Sequence, residues 1–418
     1  MKLLFIADAR SPIARAWIRY FIGRGHEVHI ISTYPCEPQD LPGSRIYHCP
    51  IAFSSFVDEA TKGTVRTPLR QSLLRAGLTR LRRGKFAGLL MAARSWVGPV
   101  ELYRYIRKAR GLTLRIMPDL VHAMRIPFEG MLAAKSTPAR LPLLISIWGN
   151  DLTLFAKRNP LLARQTKEVL RRADALHCDC DRDLELAVRS WGFQGSKPHI
   201  ALPSSGGIQS TRFNAAASTS MLRKQLNISD CVAVVINPRG MRGYVRNDVF
   251  FQAIPLVLRT YPQTVFLCNA MQGNAVAEKW LSKLKIEGNV QLLPTVPHDE
   301  MAEMFRLASI AVSPSLHDGT PNTLLEAMAC GCFPVAGDIE SVREWITCGV
   351  NGLLCDPTSP ESLASSIVRA LGDEQMRNRA RDQNLRLIAE RADYAKVMEQ
   401  AEEFYFRMIL ERKEPVRV

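Results

Sequence analysis

This sequence has little to support a membrane span, a disulfide scaffold or a metal site. No apolar run approaches the ~18 residues that a transmembrane helix needs, so none is expected. The ten cysteines contain no C-x-x-C pair; Cys178/Cys180 and Cys330/Cys332 are spaced too closely for a tetrahedral zinc knuckle. They read as reduced, mostly buried thiols of a cytosolic protein. The turn A-D-A-R-S-P (Ala7 to Pro12) lacks the glycines of a dinucleotide fingerprint, which leaves NAD without support. The start, M-K-L-L-F-I-A-D, is broken by Asp8 and has no small-residue cleavage site, so it reads as a strand and not a signal peptide. Acids are nearly missing from one stretch: between Lys62 and Arg115 stand 14 Lys or Arg and the single acid Glu101, a local net of +13 in a chain of +15.

That stretch, 62–115, interleaves Leu69, Leu73, Leu74, Leu78, Leu81, Phe86, Leu89 and Trp96 at helical spacing with Arg70, Arg75, Arg80, Arg82 and Arg83. A basic amphipathic helix of this kind predicts an anionic membrane surface as partner, each cation near lipid contributing ~1 kcal/mol. A solvated helical face packed on a core explains the pattern too. Nucleic acid is not expected, because no nucleic-acid module accompanies the charge.

At 418 residues the chain suits two domains. Lys2 to Ala7 is strand-like, Pro12 to Gly23 helical, and Glu27 to Ser32 strand-like again after an R-G-H turn. Such alternation predicts α/β architecture with doubly wound parallel sheets. A second alternation begins after the Pro/Ser/Gly-rich passage Leu202 to Gln209, where the domain boundary is placed.

The segment Ser313 to Glu326, S-P-S-L-H-D-G-T-P-N-T-L-L-E, follows the short apolar strand Ile310 to Val312 and opens a helix over Asn322 to Cys330. Backbone N–H groups at Asn322, Thr323 and Leu324 are expected to be left unpaired by the first helical turn and to favour an anion. Glu326, one turn in, can accept two hydrogen bonds from the vicinal hydroxyls of a ribose, and Asp318 at the turn can reach a second polyol. Two polyols joined by a diphosphate describe a nucleotide sugar.

Asp318-x7-Glu326, followed by A-M-A-C-G-C-F-P-V-A-G-D (Ala327 to Asp338), resembles the glutamate-x7-glutamate motif of retaining glycosyltransferases with the GT-B fold. The match is to the large family that includes sucrose synthases, bacterial lipopolysaccharide glycosyltransferases and phosphatidylinositol mannosyltransferases. N-G-L-L-C-D-P (Asn351 to Pro357) and S-P-E-S-L-A-S-S-I (Ser359 to Ile367) resemble its C-terminal domain, and the resemblance runs in order through about 180 residues. It implies two Rossmann-like domains facing a central cleft: 1–205 for the acceptor, 206–395 for the donor, and a C-terminal helix and tail, 396–418, packing back on the N-terminal domain.

The resemblance also implies roles. The family places an Arg at the end of the strand Val232 to Asn237 and a Lys about five residues on, both binding the donor diphosphate. Arg239 matches the first; the Lys is missing, so Arg242 or Arg246 would serve. Asp318, with the amides of Gly319 and Thr320, would position the sugar, and the turn and helix start through Pro321, Asn322, Thr323 and Leu324 the phosphate. Asp318, Arg239 and Arg246 are the expected catalytic groups. On the acceptor side, D-L-V-H-A-M-R-I-P (Asp119 to Pro127) resembles the strand whose loop carries an active-site histidine; His122 fits a buried position, Met124 stands where the histidine is usual, and Arg125 would take its contact. L-L-I-S-I-W-G-N-D-L (Leu143 to Leu152) resembles an H-G-x-D strand end with Trp148 for His; Gly149 permits close approach, and Asp151 either orients an acceptor or caps a helix. Arg10 is a further phosphate candidate or a plain surface arginine. Asp179 and Asp181 formally match the metal pair of the other glycosyltransferase fold, with no supporting pattern, so neither metal nor cofactor is expected.

The expected activity is transfer of a hexose-type sugar, with retention, from a nucleoside-diphosphate sugar to a hydroxyl of a lipid-linked or cell-surface polysaccharide precursor, by a peripheral enzyme on the cytoplasmic membrane face. The alternatives are a catalytically silent scaffold or membrane-associated subunit of this fold and a nucleotide-sugar epimerase.

Overall fold

The computed structural model describes residues 1–51, 95–216 and 220–413. Residues 62–94 of the basic stretch, and the tail from 414, lie outside them. The chain divides into two compact units: Met1–Asp179, Asp183–Ser205 and Gln400–Val418 form the first, Cys180–Arg182 and Gly206–Glu399 the second.

The first unit carries β1 (Lys2–Ala7), β2 (Glu27–Ser32), β3 (Ser44–His48), β4 (Leu120–Ala123), β5 (Leu143–Ile147), β6 (Ala175–Cys178) and β7 (His199–Ala201). The order is β3-β2-β1-β4-β5-β6-β7, every pair parallel. The second unit carries β8 (Val234–Asn237), β9 (Val265–Cys268), β10 (Val290–Leu292), β11 (Ile310–Ser313), β12 (Phe333–Gly337) and β13 (Leu353–Cys355) in the order β10-β9-β8-β11-β12-β13, also all parallel. Both are the doubly wound sheets that the alternation predicts. Leu3 to Ala7 is buried throughout, as a strand covered on both faces requires. Pro12 sits in the first turn of the Pro12–Gly23 helix, where its missing N–H costs nothing. In each sheet the winding direction reverses at one place, between β1 and β4 and between β8 and β11. Crevices at the carboxyl ends of such strands are where open α/β sheets take ligands.

A directed hydrogen-bond chain runs through the first core. His177 Nε2 lies 2.9 Å from the Leu202 carbonyl, which only accepts, so this nitrogen carries the proton and Nδ1 accepts. Ser146 Oγ therefore donates to His177 Nδ1 (2.8 Å) and accepts from His122 Nε2 (2.7 Å). His122 Nδ1 then accepts from the Tyr405 hydroxyl, which itself accepts from Trp17 Nε1 at 2.9 Å. Both histidines are neutral in this arrangement. Burial holds His122 well below the usual histidine range and His177 at about 4. His122 thus fills the buried position expected of it, and Tyr405 from the last helix, Tyr394–Lys413, closes the chain.

Candidate functional site

In the second unit, β8 runs out at Asn237, whose side chain accepts from the Arg239 amide (3.1 Å) and donates to Asn247 (2.9 Å). This fixes the loop that presents Arg239. Across the switch point, the loop after β11 presents Asp318, and the two side chains form an ion pair, both nearly buried. Arg239 also reaches Ser315 Oγ at 3.3 Å. The Asp318 carbonyl accepts from Ser341 Oγ (2.8 Å), and Thr320 Oγ1 lies 3.3 Å from Trp345 Nε1. Gly337 permits this packing: a Cβ there would stand 2.7 Å from the Ser315 carbonyl oxygen.

The Asn322–Ala329 helix starts beside this pair. One expectation is corrected here: the Leu324 N–H is not left unpaired but donates to the Pro321 carbonyl at 2.8 Å, because the first turn tightens to i→i+3 bonding. Glu326, buried one turn in, takes His298 Nε2 at 2.8 Å. His298 Nδ1 lies 2.9 Å from Arg212 Nη1. Arginine only donates, so His298 bears its proton on Nε2 and donates to Glu326. Phe213 packs on the imidazole at 4.9 Å and Asp299 holds Arg212 at 2.6 Å.

In the first unit the loops after β1, β4 and β5 bring together Asp8, Arg10, Arg125, Glu129, Trp148 and Asp151. Asp151 is fully buried; it pairs with Arg125 Nη2 at 2.5 Å and accepts from the amides of Ile126 (3.1 Å) and Trp148 (3.3 Å). Burial pushes its carboxyl up, and the guanidinium and the amides push back. Arg125 lies over the rings of Trp148 (5.1 Å) and Phe155 (5.0 Å), and Arg158 over Phe155 (4.4 Å). Arg10 binds Asp8 through Nε at 3.1 Å and lies 3.8 Å over the Tyr34 ring. The Gly149 amide donates to Asp179 at 3.1 Å. Glu129 accepts from Thr33 Oγ1 at 2.6 Å, and burial pushes its carboxyl up to about 7.

Two family models cover most of the chain: "Glycosyl transferase 4-like domain" over residues 11–201 and "Glycosyl transferases group 1" over residues 221–386. Sucrose-phosphate synthase from Thermosynechococcus elongatus superposes with a TM-score of 0.74 at 14% identity, over 98% of this chain and 100% of that one. The chain belongs to the GT-B glycosyltransferases. Anabaena HepE, solved in complex with UDP, superposes with a TM-score of 0.71 at 15% identity, over 97% of this chain and 100% of HepE. Among curated proteins, D-inositol 3-phosphate glycosyltransferase of Thermobifida fusca is 24% identical over 217 residues, 50% of this chain and 49% of that protein. The chain thus spans about half the length of the curated relatives it matches.

Within this GT-B protein the structure joins some of the sequence-expected residues and separates others. Arg239, Asp318, Thr320 and Glu326 gather at the β8/β11 switch point. Arg242 instead lies 3.2 Å from the Tyr244 hydroxyl, and Arg246 pairs with Asp248 through two bonds of 2.9 and 2.8 Å. Arg125, Trp148 and Asp151 form one cluster. Asp151 ties the β4 and β5 loops together; it is no cap for the Pro160–Arg172 helix, which Asn159 caps through its side chain. Sequence reasoning did not single out Glu129, Thr33, Arg158, His298 or Arg212. The one local signal was I-P-F-E-G, whose Phe128 sits at φ 68°, a strained turn beside Glu129.

Proposed function

We propose that this protein transfers a sugar from a nucleoside-diphosphate sugar to a hydroxyl acceptor, with retention of anomeric configuration. The observation that carries this reading is the Arg239–Asp318 pair at the β8/β11 switch point, beside a helix start that carries Glu326. The donor diphosphate would compete for Arg239, taking fork-like charge-assisted bonds and freeing Asp318 for the sugar hydroxyls. Glu326, oriented by His298, would hold the ribose. As the C1–O bond breaks, its electron pair goes to the diphosphate, whose charge Arg239 neutralises. The acceptor oxygen bonds C1 on the same face, and its proton passes to the leaving phosphate oxygen. Arg246, expected beside Arg239, would serve only by leaving Asp248.

The acceptor would be a lipid-linked or glycan precursor, met at the membrane face. Trp96 (54% exposed), Val100 (63%) and Tyr103 (56%) present apolar surface in the described part of the basic stretch, beside exposed Arg104, Arg107 and Lys108. Sedimentation with phosphatidylglycerol vesicles, weakened by salt, tests that partner. No helix among the described residues is long and apolar enough to cross a membrane.

The decisive experiment is thermal-shift screening against UDP, GDP, ADP, CMP and their sugars, since a ligand that binds only the folded state raises Tm. UDP-glucose comes first because HepE is solved with it. A selective shift lost in Arg239→Ala supports the reading. The silent-scaffold alternative rests on Arg239 and Asp318 already satisfying each other, and it predicts no shift with any nucleotide.

A further inference from the structure

On one side of the second sheet the strands run β10-β9-β8, and the loops that follow the outer two carry different groups. The loop after β8 presents Arg239, and the one after β10 runs through Val296 and Pro297 to His298, which donates to Glu326. Between them β9 ends at Cys268, and the next residue, Asn269, is buried. Its N–H donates to the Asn237 carbonyl at 3.1 Å, and the Ala270 N–H donates to the Pro294 carbonyl at 3.1 Å, so the backbone here is tied to both neighbours. The Asn269 side chain carries that tie beyond the strand ends. Its Nδ2 donates to the Pro238 carbonyl at 3.1 Å, and its Oδ1 accepts from the Val296 N–H at 3.1 Å. A carbonyl only accepts and a peptide N–H only donates, so these two partners fix which way the amide points.

Both partners lie next to groups assigned to the donor. The Pro238 carbonyl belongs to the peptide plane of Arg239, whose own N–H is held by Asn237 Oδ1 at 3.1 Å. Val296 is separated from His298 only by Pro297, at φ −55°, where the ring leaves the backbone little freedom. Gly240 lets the first loop lie this close, since a Cβ there would stand 3.3 Å from the Ala270 Cβ and carbonyl oxygen. An amide of this length both donates and accepts, whereas the isosteric Asp lacks the donor and Leu lacks both groups.

We propose that Asn269 is a positioning residue that sets the separation between the diphosphate arm, Arg239, and the ribose arm, Glu326 with His298, so that a nucleoside diphosphate engages both at once. This spacing role rests on the glycosyltransferase reading of the two arms. Two groups joined in one ligand bind more tightly than either alone only where their subsites are held at the matching separation. Loss of the Asn269 bridge therefore weakens the joined ligand and spares its halves.

The test is equilibrium titration of the full chain with whichever of UDP, GDP and ADP binds the wild type, with the corresponding nucleoside, and with inorganic pyrophosphate. In Asn269→Leu the Kd of the diphosphate is expected to rise about tenfold, while those of nucleoside and pyrophosphate change less than about twofold. Asn269→Asp, which keeps the acceptor for Val296, raises the diphosphate Kd a few-fold and carries the test where the leucine variant does not fold. Asn289 supplies the control: at the amino ends of the strands its Nδ2 donates to the Pro262 (2.9 Å) and Thr264 (3.0 Å) carbonyls, so Asn289→Ala loses bonds of the same kind far from both arms and leaves all three Kd values unchanged. An unchanged diphosphate Kd in the Asn269 variants, an equal loss for nucleoside or pyrophosphate, or the same loss in Asn289→Ala overturns the spacing role and leaves the glycosyltransferase reading in place. No binding of any of the three diphosphates by the wild type removes that reading and the spacing role together.

Discussion

The two sheets carry the same pair in different settings. Each sets an arginine from one strand end against an aspartate from the neighbouring strand: Arg125 with Asp151 across β4 and β5, one strand away from the first switch point, and Arg239 with Asp318 across β8 and β11, at the second. Around Arg239 the polar groups have found one another: Asp318 with Arg239, Glu326 with His298, Thr320 with Trp345. Every buried side-chain polar atom without a partner among the described residues belongs to the first unit. A ligand at Arg239 would have to replace its bond to Asp318, whereas Arg125 and Asp151 brace each other within the first unit.

The comparison breaks first on stability. Arg125→Ala strands the fully buried Asp151 without its counter-ion and is expected to cost about 3–5 kcal/mol, read as a lower denaturant midpoint for the first unit. Arg239→Ala should act on chemistry instead, lowering kcat by about 10²–10³-fold as loss of a charge-stabilising donor does. If Arg125→Ala leaves the midpoint unmoved, its pair with Asp151 is not the brace described.

Titration sharpens the contrast. His177, held at about 4 against a usual ~6.5, stays neutral when folded but charges when unfolded. Its contribution is complete above about 6.5 and lost as pH falls toward about 4, by about 3 kcal/mol at 1.36 kcal/mol per unit. Glu129 runs the other way. Raised to about 7 from 4.5, it binds more protons folded than unfolded between those values, so stability falls as pH rises through them. His122, also held well below the usual histidine range, adds a second rise over the same window, so the fall from Glu129 offsets only one of the two and wild-type stability rises between about pH 4.5 and 6.5. Glu129→Gln should steepen that rise and His177→Gln should leave the curve nearly flat, by calorimetry across that range.

The smallest expected effect tests the second site's exchange. His298→Ala removes one of Glu326's bonds and should raise donor KM about tenfold, roughly 1.4 kcal/mol, with kcat little changed. An unchanged donor KM would mean that Glu326 needs no orienting partner.

Much of this was legible in the chain because strand-end loops announce themselves locally. Ile310 to Val312 followed by Gly319-Thr320-Pro321 reads as strand, turn and helix, and Val234 to Asn237 ending in Pro238-Arg239 reads likewise. What could not be read is pairing across distance. Arg239 and Asp318 stand 79 residues apart, and each was expected to await a ligand; their capture of each other needs the β8/β11 adjacency. Arg242 and Arg246 look equivalent to Arg239 as residue types, yet Tyr244 and Asp248, two residues along from each, hold them. Glu129 takes its character from Thr33, 96 residues earlier, and from burial, neither of which leaves a mark in I-P-F-E-G.

The chain of hydrogen bonds from Trp17 to Leu202 is completed by Tyr405, 388 residues after Trp17. During synthesis at ~5–20 residues per second, roughly 20–80 s pass between the two. Throughout that interval Phe21, which stacks on Tyr405 at 4.6 Å, His122 and the side of β1 they cover await their lid. The second unit, which ends at Glu399, is synthesised whole before Tyr405, so the half made first is the half finished last.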